Sequence, residues 1–342
     1  MKKSLIINLC IPFCVRQCSY CSYAYCTYDP QVVRAYGQAL LAEIESCRGQ
    51  YDDYEVRAVS IEGGSPALLG ADVLSRVIRS MRRAFTCSED LQISLETMPG
   101  DYSRALMEKM RDAGVNLWII GLQTAQKAEH DILERPYRFD AVSMADLAIR
   151  TFDPRFLSFD LLTGIPGQTC HSLEQTLLKC LYYAPDHMTV YPLSVRPDTR
   201  LKKKIESGQI SAVSPADTED LQKFAAAFLA ERGFVRYTAY DYARSPHPVR
   251  FADRSIPAVP EDWADLCLNR YRLLYLQDCE YLGLGYHAAS CMDGCLWENG
   301  HSLQEYIDHS TEIEITSANL VRPDPERLEQ IRARKRSLLV PV

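Results

Sequence analysis

Three cysteines near the N-terminus, Cys14, Cys18 and Cys21, stand in the spacing C-x3-C-x2-C within the segment CIPFCVRQCSYCSYAYC. Thiolates at short, fixed intervals on one loop are how proteins wrap an iron–sulfur cubane. Three ligands on a four-iron cluster leave one iron open, a place where a bidentate small molecule can bind and receive an electron. Zinc is the alternative chemistry, although it usually takes four ligands from paired C-x2-C knuckles. The spacing by itself does not separate the two. Cys10 and Cys26 bracket the triad and read as packing residues. Cys291 and Cys295 form a second C-x3-C pair, far downstream and without a convincing fourth partner for another cluster.

Thirteen cysteines in 342 residues is a high content. Disulfide scaffolds are typically small and secreted, an odd count leaves a thiol over, and the apolar N-terminal stretch runs into Pro12 without a cleavage site. A reducing, cytoplasmic setting is expected. Cys47, Cys87, Cys170, Cys180 and Cys267 read as small buried hydrophobes. With a net charge of −7 and a pI of about 5.6, no nucleic-acid partner is expected. No run of about 18 apolar residues is present, so no membrane span is expected.

The elements that must position the triad are short apolar runs alternating with longer amphipathic ones. Strands are read at 4–9, 56–62, 91–96, 115–122, 156–162 and 187–193, with a final strand-like run at 234–240. Helices are read at 31–47, 71–85, 102–113, around 139–151, 172–183 and 217–232. On the first helix Val33, Tyr36, Leu40, Leu41 and Ile44 share one face. Six strand–helix alternations predict an α/β fold with a parallel sheet closed into a partial (β/α)6 TIM-like barrel. Barrel chemistry sits on the loops after the C-terminal strand ends, and the noteworthy polar groups fall there or nearby. The cysteine loop follows the first strand and Gly63-Gly64-Ser65-Pro66 the second. Glu96 and Gln123 end the third and fourth, and Asp160 lies in the fifth. From about 245 the pattern breaks down at Pro246, Pro248, Pro257 and Pro260. The expected organisation is therefore a barrel over 1–245 and a small appendage over 246–342.

The ordered motifs resemble the radical S-adenosylmethionine (SAM) superfamily, and within it the oxygen-independent coproporphyrinogen III oxidase-like family. That family includes class C radical methyltransferases and heme-chaperone-like proteins. Ile11-Pro12-Phe13-Cys14, Gly63-Gly64-Ser65-Pro66, SLETMPG, GLQT, FDLLTGIPGQT, YDYAR and YLGLG match its motifs in order over about residues 4–310. The resemblance implies a [4Fe–4S] cluster on Cys14, Cys18 and Cys21, one SAM, and room for a second. It places Gly63, Gly64, Ser65, Glu96, Gln123, Arg135, Asp160 and Ser194 around SAM, with Arg135 for its carboxylate, and Phe13 and Tyr20 shielding the cluster. Tyr23 and His287 are the candidate catalytic residues. Tyr25 and Tyr28 are candidates for the substrate mouth, and Gln277 is a weaker candidate beside His287. A small-molecule substrate and a flavodoxin or ferredoxin electron donor are implied.

Two positions depart from the family pattern. Asn8 stands where a tyrosine is usual and Cys10 where a histidine is usual, which weighs against coproporphyrinogen decarboxylation. The winged-helix-like extension of full-length relatives is largely missing, which weighs against the porphyrin-oxidising and heme-trafficking activities. The expectation is a radical SAM enzyme that activates a C–H bond, with class C-type methylation of an aromatic or heteroaromatic small molecule as the first option. A tetrapyrrole enzyme and a non-catalytic heme chaperone are the alternatives.

Overall fold

The first strand, β1 (Lys3–Ile11), shows how the sheet divides its two faces. Leu5, Ile7, Leu9 and Ile11 enter the main core under the helices, whereas Ile6 belongs to a separate cluster on the opposite side. This is the two-residue period of a strand, and it places Asn8 and Cys10 on the face of Ile6. The computed structural model describes residues 2–23, 25–101, 103–136, 157–244, 267–300, 302–311, 320–321 and 323–339. Among these, β1 is joined by β2 (Tyr54–Gly63), β3 (Cys87–Thr97), β4 (Leu117–Gln123), β5 (Leu157–Thr163) and β6 (His187–Pro192). All six pair in parallel and in chain order. This is the partial barrel expected from the alternation. The helix expected around 139–151, the proline-rich stretch at 245–260 and the boundary at 245–246 lie outside the described residues.

The crossover helices are α1 (Pro30–Ser46), α2 (Ala71–Ala84), α3 (Arg104–Ala113), α4 (Lys127–Leu133) and α5 (Cys170–Leu181). Their starts are written in the local sequence. Asp29 accepts from the backbone N–H groups of Gln31 and Val32, with Pro30 at the first helical position, and Thr169 and Ser172 form a capping box on α5. Each such cap is worth about 1 kcal/mol. Among the described residues no helix is long and apolar enough to cross a membrane.

Beyond β6 come α6 (Arg200–Glu206), α7 (Pro215–Ala230), β7 (Phe234–Arg236) and β8 (Asp241–Arg244). The run at 234–240, read as one strand, breaks after Arg236. Thr238 Oγ1 accepts from Tyr240 N and Asp241 N and turns the chain, so that β8 pairs antiparallel with both β6 and β7.

The C-terminal residues return to the opposite edge. α8 (Arg270–Leu276) lies inside the barrel, where Tyr271, Leu274 and Tyr275 pack against Ile6 and Ala58. β9 (Glu280–Leu284) then pairs parallel with β1, from Leu5 opposite Glu280 to Leu9 opposite Leu284. β10 (Ala289–Met292), β11 (Cys295–Glu298) and β12 (Leu320–Val321) continue the sheet antiparallel. The last helices are α9 (Leu303–His309) and α10 (Pro325–Arg336). Glu43 of α1 holds this edge in place. Its buried carboxylate accepts from Gly285 N (2.8 Å), Asn299 Nδ2 (2.7 Å) and Tyr306 Oη (2.6 Å).

Candidate functional site

The cysteine loop leaves β1 at Pro12 and is closed at its base by a two-residue parallel ladder, Phe13 opposite Cys26 and Cys14 opposite Thr27. Its middle is pinned by Ser19, which is fully buried. Ser19 donates from its N–H to Leu133 O (2.9 Å) and from Oγ to Ile132 O (2.8 Å), and its carbonyl accepts from Leu201 N (2.8 Å). Arg16 donates to the carbonyls of Glu134 and Arg135, and Arg200 to that of Gln17. The loop is therefore fixed to the end of α4 and the start of α6. Cys18 is buried, while Cys14 and Cys21 are half-buried. Burial, then Cys18 and Cys21 close by, pushes the Cys14 thiol up to about 12. Metal coordination would reverse this by deprotonating the thiols.

Gly63 and Gly64 make the next loop fit beneath this one. Gly64 N donates to Ile11 O (2.6 Å) and Ser65 N to Phe13 O (2.7 Å). A Cβ on Gly64 would lie 2.4 Å from Phe13 O and 3.0 Å from Cys14 Sγ, and one on Gly63 would lie 3.1 Å from Cys10 Sγ. These glycines have a steric reason beyond any exposure of backbone to a ligand. Ser65 is buried and donates to Asp101. The Phe13 ring packs edge-on against Tyr36 (5.1 Å, 87°) in the main core.

Arg135 is brought into the loop's interior. It donates to Tyr20 Oη (2.7 Å), Gly121 O and Met98 Sδ, and lies 3.9 Å from Cys18 Sγ. Its buried Nε has no partner. Gln123 ends β4 with φ 68° at a register shift against β5, a device that re-aims a side chain. Its Oε1 accepts from Tyr191 Oη (3.1 Å).

The concave face carries the remaining polar groups. Asn8 donates to Glu62 (2.9 Å), which also accepts from Ser60 Oγ. Burial, then Glu62 and Asp160, holds Glu96 well above the usual carboxylate range. Asp160 is 6% exposed, and its Oδ1 has no hydrogen-bond partner. Burial raises its pKa, against the opposing pull of Arg272. Arg272 is the residue that the sequence reading missed. From α8 it donates to Asp241 Oδ1 (2.7 Å) and Thr189 Oγ1 (2.9 Å) and lies 3.7 Å from Asp160 Oδ2. Its start of helix is held by Gln92, which bonds Leu268 O and Arg270 N, and by Tyr237, which accepts from Asn269 N. Tyr237 in turn bonds His187 (2.8 Å), which burial keeps neutral with a pKa lowered to about 4.

Other candidates sit further out. Tyr23 is 71% exposed, yet Glu62 and Glu96 are near enough to raise its hydroxyl pKa. Tyr25 Oη accepts from Thr27 Oγ1, and Tyr28 is exposed. His287 lies on the turn after β9, stacked edge-on against Tyr286 and bonded to Glu298. Ser194 is exposed in the loop after β6, and no described hydrogen bond joins it to the others. Gln277 caps the end of α8. Cys291 and Cys295 lie on the hairpin strands β10 and β11, where Cys295 pairs with Met292 and Cys291 with Leu296.

These residues fit a cluster with a chelated ligand. Three soft thiols share one anchored loop. A cubane assigns each thiolate a different iron. Beside the loop the buried Arg135 Nε is a donor without a partner, and on the concave face Asp160 Oδ1 is an acceptor without one, as a polar ligand would require.

The family model of the Radical SAM superfamily matches residues 8–180. Curated relatives include the heme chaperone HemW of Synechocystis, 26% identical over 290 residues (83% of this chain, 65% of the relative). Anaerobilin synthase of Escherichia coli O157:H7 is 25% identical over 304 residues (88% of this chain, 64% of the relative). The chain thus spans less than two thirds of the length of these relatives. Among solved structures, coproporphyrinogen III oxidase from Escherichia coli, described as a radical SAM enzyme, superposes with a TM-score of 0.75 at 21% identity. That match covers 97% of this chain and 75% of the oxidase, and it establishes the shared fold. The superfamily implies a [4Fe–4S] cluster and SAM, and this chain belongs to the radical SAM superfamily, on the branch it shares with coproporphyrinogen III oxidase-like proteins.

Proposed function

We propose that this chain cleaves SAM reductively and directs the resulting reactivity at a C–H bond of a small molecule held over the concave face. The observation that carries the reading is the pairing of an anchored three-thiol loop with the buried Arg135, which lies 3.9 Å from Cys18 Sγ and whose Nε has no partner. Cys14, Cys18 and Cys21 would hold the cluster, which when bound supplies an open iron for chelation and one electron for breaking a carbon–sulfur bond. Arg135 offers a cation to a carboxylate. Glu96 and Asp160 offer acceptors to ammonium and hydroxyl groups. Tyr20 and the wall formed by Leu133, Leu162 and Ile165 exclude water from the reacting centre.

The relatives' names, heme chaperone and anaerobilin synthase, support a heme-related tetrapyrrole as the substrate class. Methylation of an aromatic or heteroaromatic compound draws no comparable support. The same names favour a second reading, in which the chain binds heme without turnover. Anaerobic reconstitution with iron and sulfide, then dithionite and SAM, separates them. The enzyme reading expects 5′-deoxyadenosine and methionine. A folded, cluster-loaded chain that yields neither, yet binds heme stoichiometrically, would establish the second reading against the first.

A further inference from the structure

We propose that the surface formed by Val15, Arg16 and α6 is the docking site for a small, acidic one-electron carrier protein. The inference rests on the cluster reading above. Its own footing is the charge and placement of this patch. The whole chain carries a net charge of −7, so an acidic partner meets general repulsion and needs a local exception. α6 reads RLKKKIE. Five cations, Arg16, Arg200, Lys202, Lys203 and Lys204, meet three carboxylates here, Glu134, Asp198 and Glu206.

The contacts show that this is one continuous patch. Arg16 donates to Glu134 O, while Arg200 and Lys204 both pair with the Glu134 carboxylate. Lys202 pairs with Glu206 at 3.3 Å. Arg16 is bonded only to backbone carbonyls, and Lys203 is exposed without an ion-pair partner among the described residues. Cations therefore outnumber carboxylates. At the edge of the patch stands Val15, 46% exposed and adjacent in sequence to Cys14. A small apolar spot beside excess positive charge suits a transient redox encounter, in which the interface is small and charge supplies the approach rate. Val15 and Arg16 belong to the loop that carries the thiols, between Cys14 and Cys18 in sequence, so the bound carrier would touch that loop.

The transfer balances simply. The carrier's flavin hydroquinone or reduced iron–sulfur centre loses one electron and the oxidised [4Fe–4S] cluster gains it, with no atom exchanged.

The test uses the full chain and two probes, a flavodoxin and a plant-type ferredoxin, both acidic. Binding is measured by fluorescence anisotropy at 20 and 300 mM NaCl. SAM cleavage is driven either by the reduced carrier or by dithionite. Lys202→Glu/Lys203→Glu should weaken binding of at least one carrier by 10-fold or more at low salt. Salt alone should erase most of that difference, because exposed charge pairs are screened. Carrier-driven cleavage should fall in parallel, while dithionite-driven cleavage stays at the parent rate. The proposal is overturned if neither carrier binds, or if the double variant binds as tightly as the parent. It is also overturned if both reductants lose rate equally. Failure of the cluster reading has a different signature: the parent chain itself makes no 5′-deoxyadenosine with dithionite.

Discussion

Replacing Gly64 by alanine tests whether the turn after β2 sets the position of the cysteine loop. The added Cβ would lie 2.4 Å from Phe13 O, 2.8 Å from Phe13 C and 3.0 Å from Cys14 Sγ. Two of those atoms are backbone, so no rotamer change relieves the contact. The loop must move away, and the bond from Ser65 N to Phe13 O (2.7 Å) is lost or lengthened. Losing one backbone hydrogen bond costs about 1 kcal/mol and overpacking about 1–3 kcal/mol, giving roughly 2–4 kcal/mol. With a urea slope of about 3 kcal/mol/M, the upper end suited to a long chain, the unfolding midpoint falls by about 1 M. Gly49→Ala is the control. Its Cβ would meet nothing within 4 Å, but its φ is +77°, so it carries conformational strain of about 1–2 kcal/mol without a clash. Gly64→Ala should also lower iron bound per chain after reconstitution, whereas Gly49→Ala should not. An unchanged midpoint together with full iron content in Gly64→Ala would refute the steric argument.

Alanine at Cys14, Cys18 or Cys21 should abolish the iron–sulfur absorbance while leaving the far-ultraviolet circular dichroism intact. Alanine at Cys10 or Cys26 should retain the iron, because neither belongs to the triad: Cys10 lies on β1 before the loop and Cys26 on the ladder that closes its base. Glu43 predicts a pH dependence. Burial raises its carboxyl to about 7 in the folded chain, against about 4.3 unfolded. A raised acid stabilises below the unfolded value and loses that contribution as pH climbs through the folded one. Urea stability should therefore decline between pH 5 and pH 8 by roughly 3 kcal/mol from this group, and Glu43→Gln should flatten that decline. Arg272→Gln strands the carboxylates of Asp241 and Asp160. The expected loss is roughly 3 kcal/mol at pH 8, measured by urea unfolding, and it should shrink toward pH 5 as those carboxyls take up protons.

The barrel was legible because its strands bury whole apolar faces. In β1 the short apolar run supplies Leu5, Ile7, Leu9 and Ile11 to one face and Ile6 to the other, the mark of a strand covered on both sides. The cysteine triad and the strand-end positions Gly63, Glu96 and Gln123 were legible for the same reason: a parallel barrel gives its C-terminal strand ends one common edge. Arg272 was not legible. It follows a proline-rich stretch in a segment without clear periodicity, and only Asn269, capping Arg272 N, marks the short helix. Its partners Thr189 and Asp241 meet it solely through tertiary packing. The steric role of Gly64 was not legible, since sequence alone does not reveal that Phe13 lies against it. The run at 234–240 resembled one strand because its residues have strand propensity, but the Thr238 turn overrode that preference.

The pairing of β9 with β1 has a consequence for biosynthesis. Leu5 hydrogen-bonds alongside Glu280, a sequence separation of 275 residues. At about 5–20 residues per second, one edge of β1 waits on the order of 15–55 s after translation for its neighbour. Throughout that interval the strand that leads into the cysteine loop presents unpaired backbone groups, the condition under which foreign strands add on. Barrel strands β2 to β6 can assemble on the opposite side meanwhile, so the last seam to close is the one beside the cysteine loop. Iron delivery to the nascent chain would therefore compete with edge aggregation, and chains supplied with iron late should lose more material to inclusion bodies.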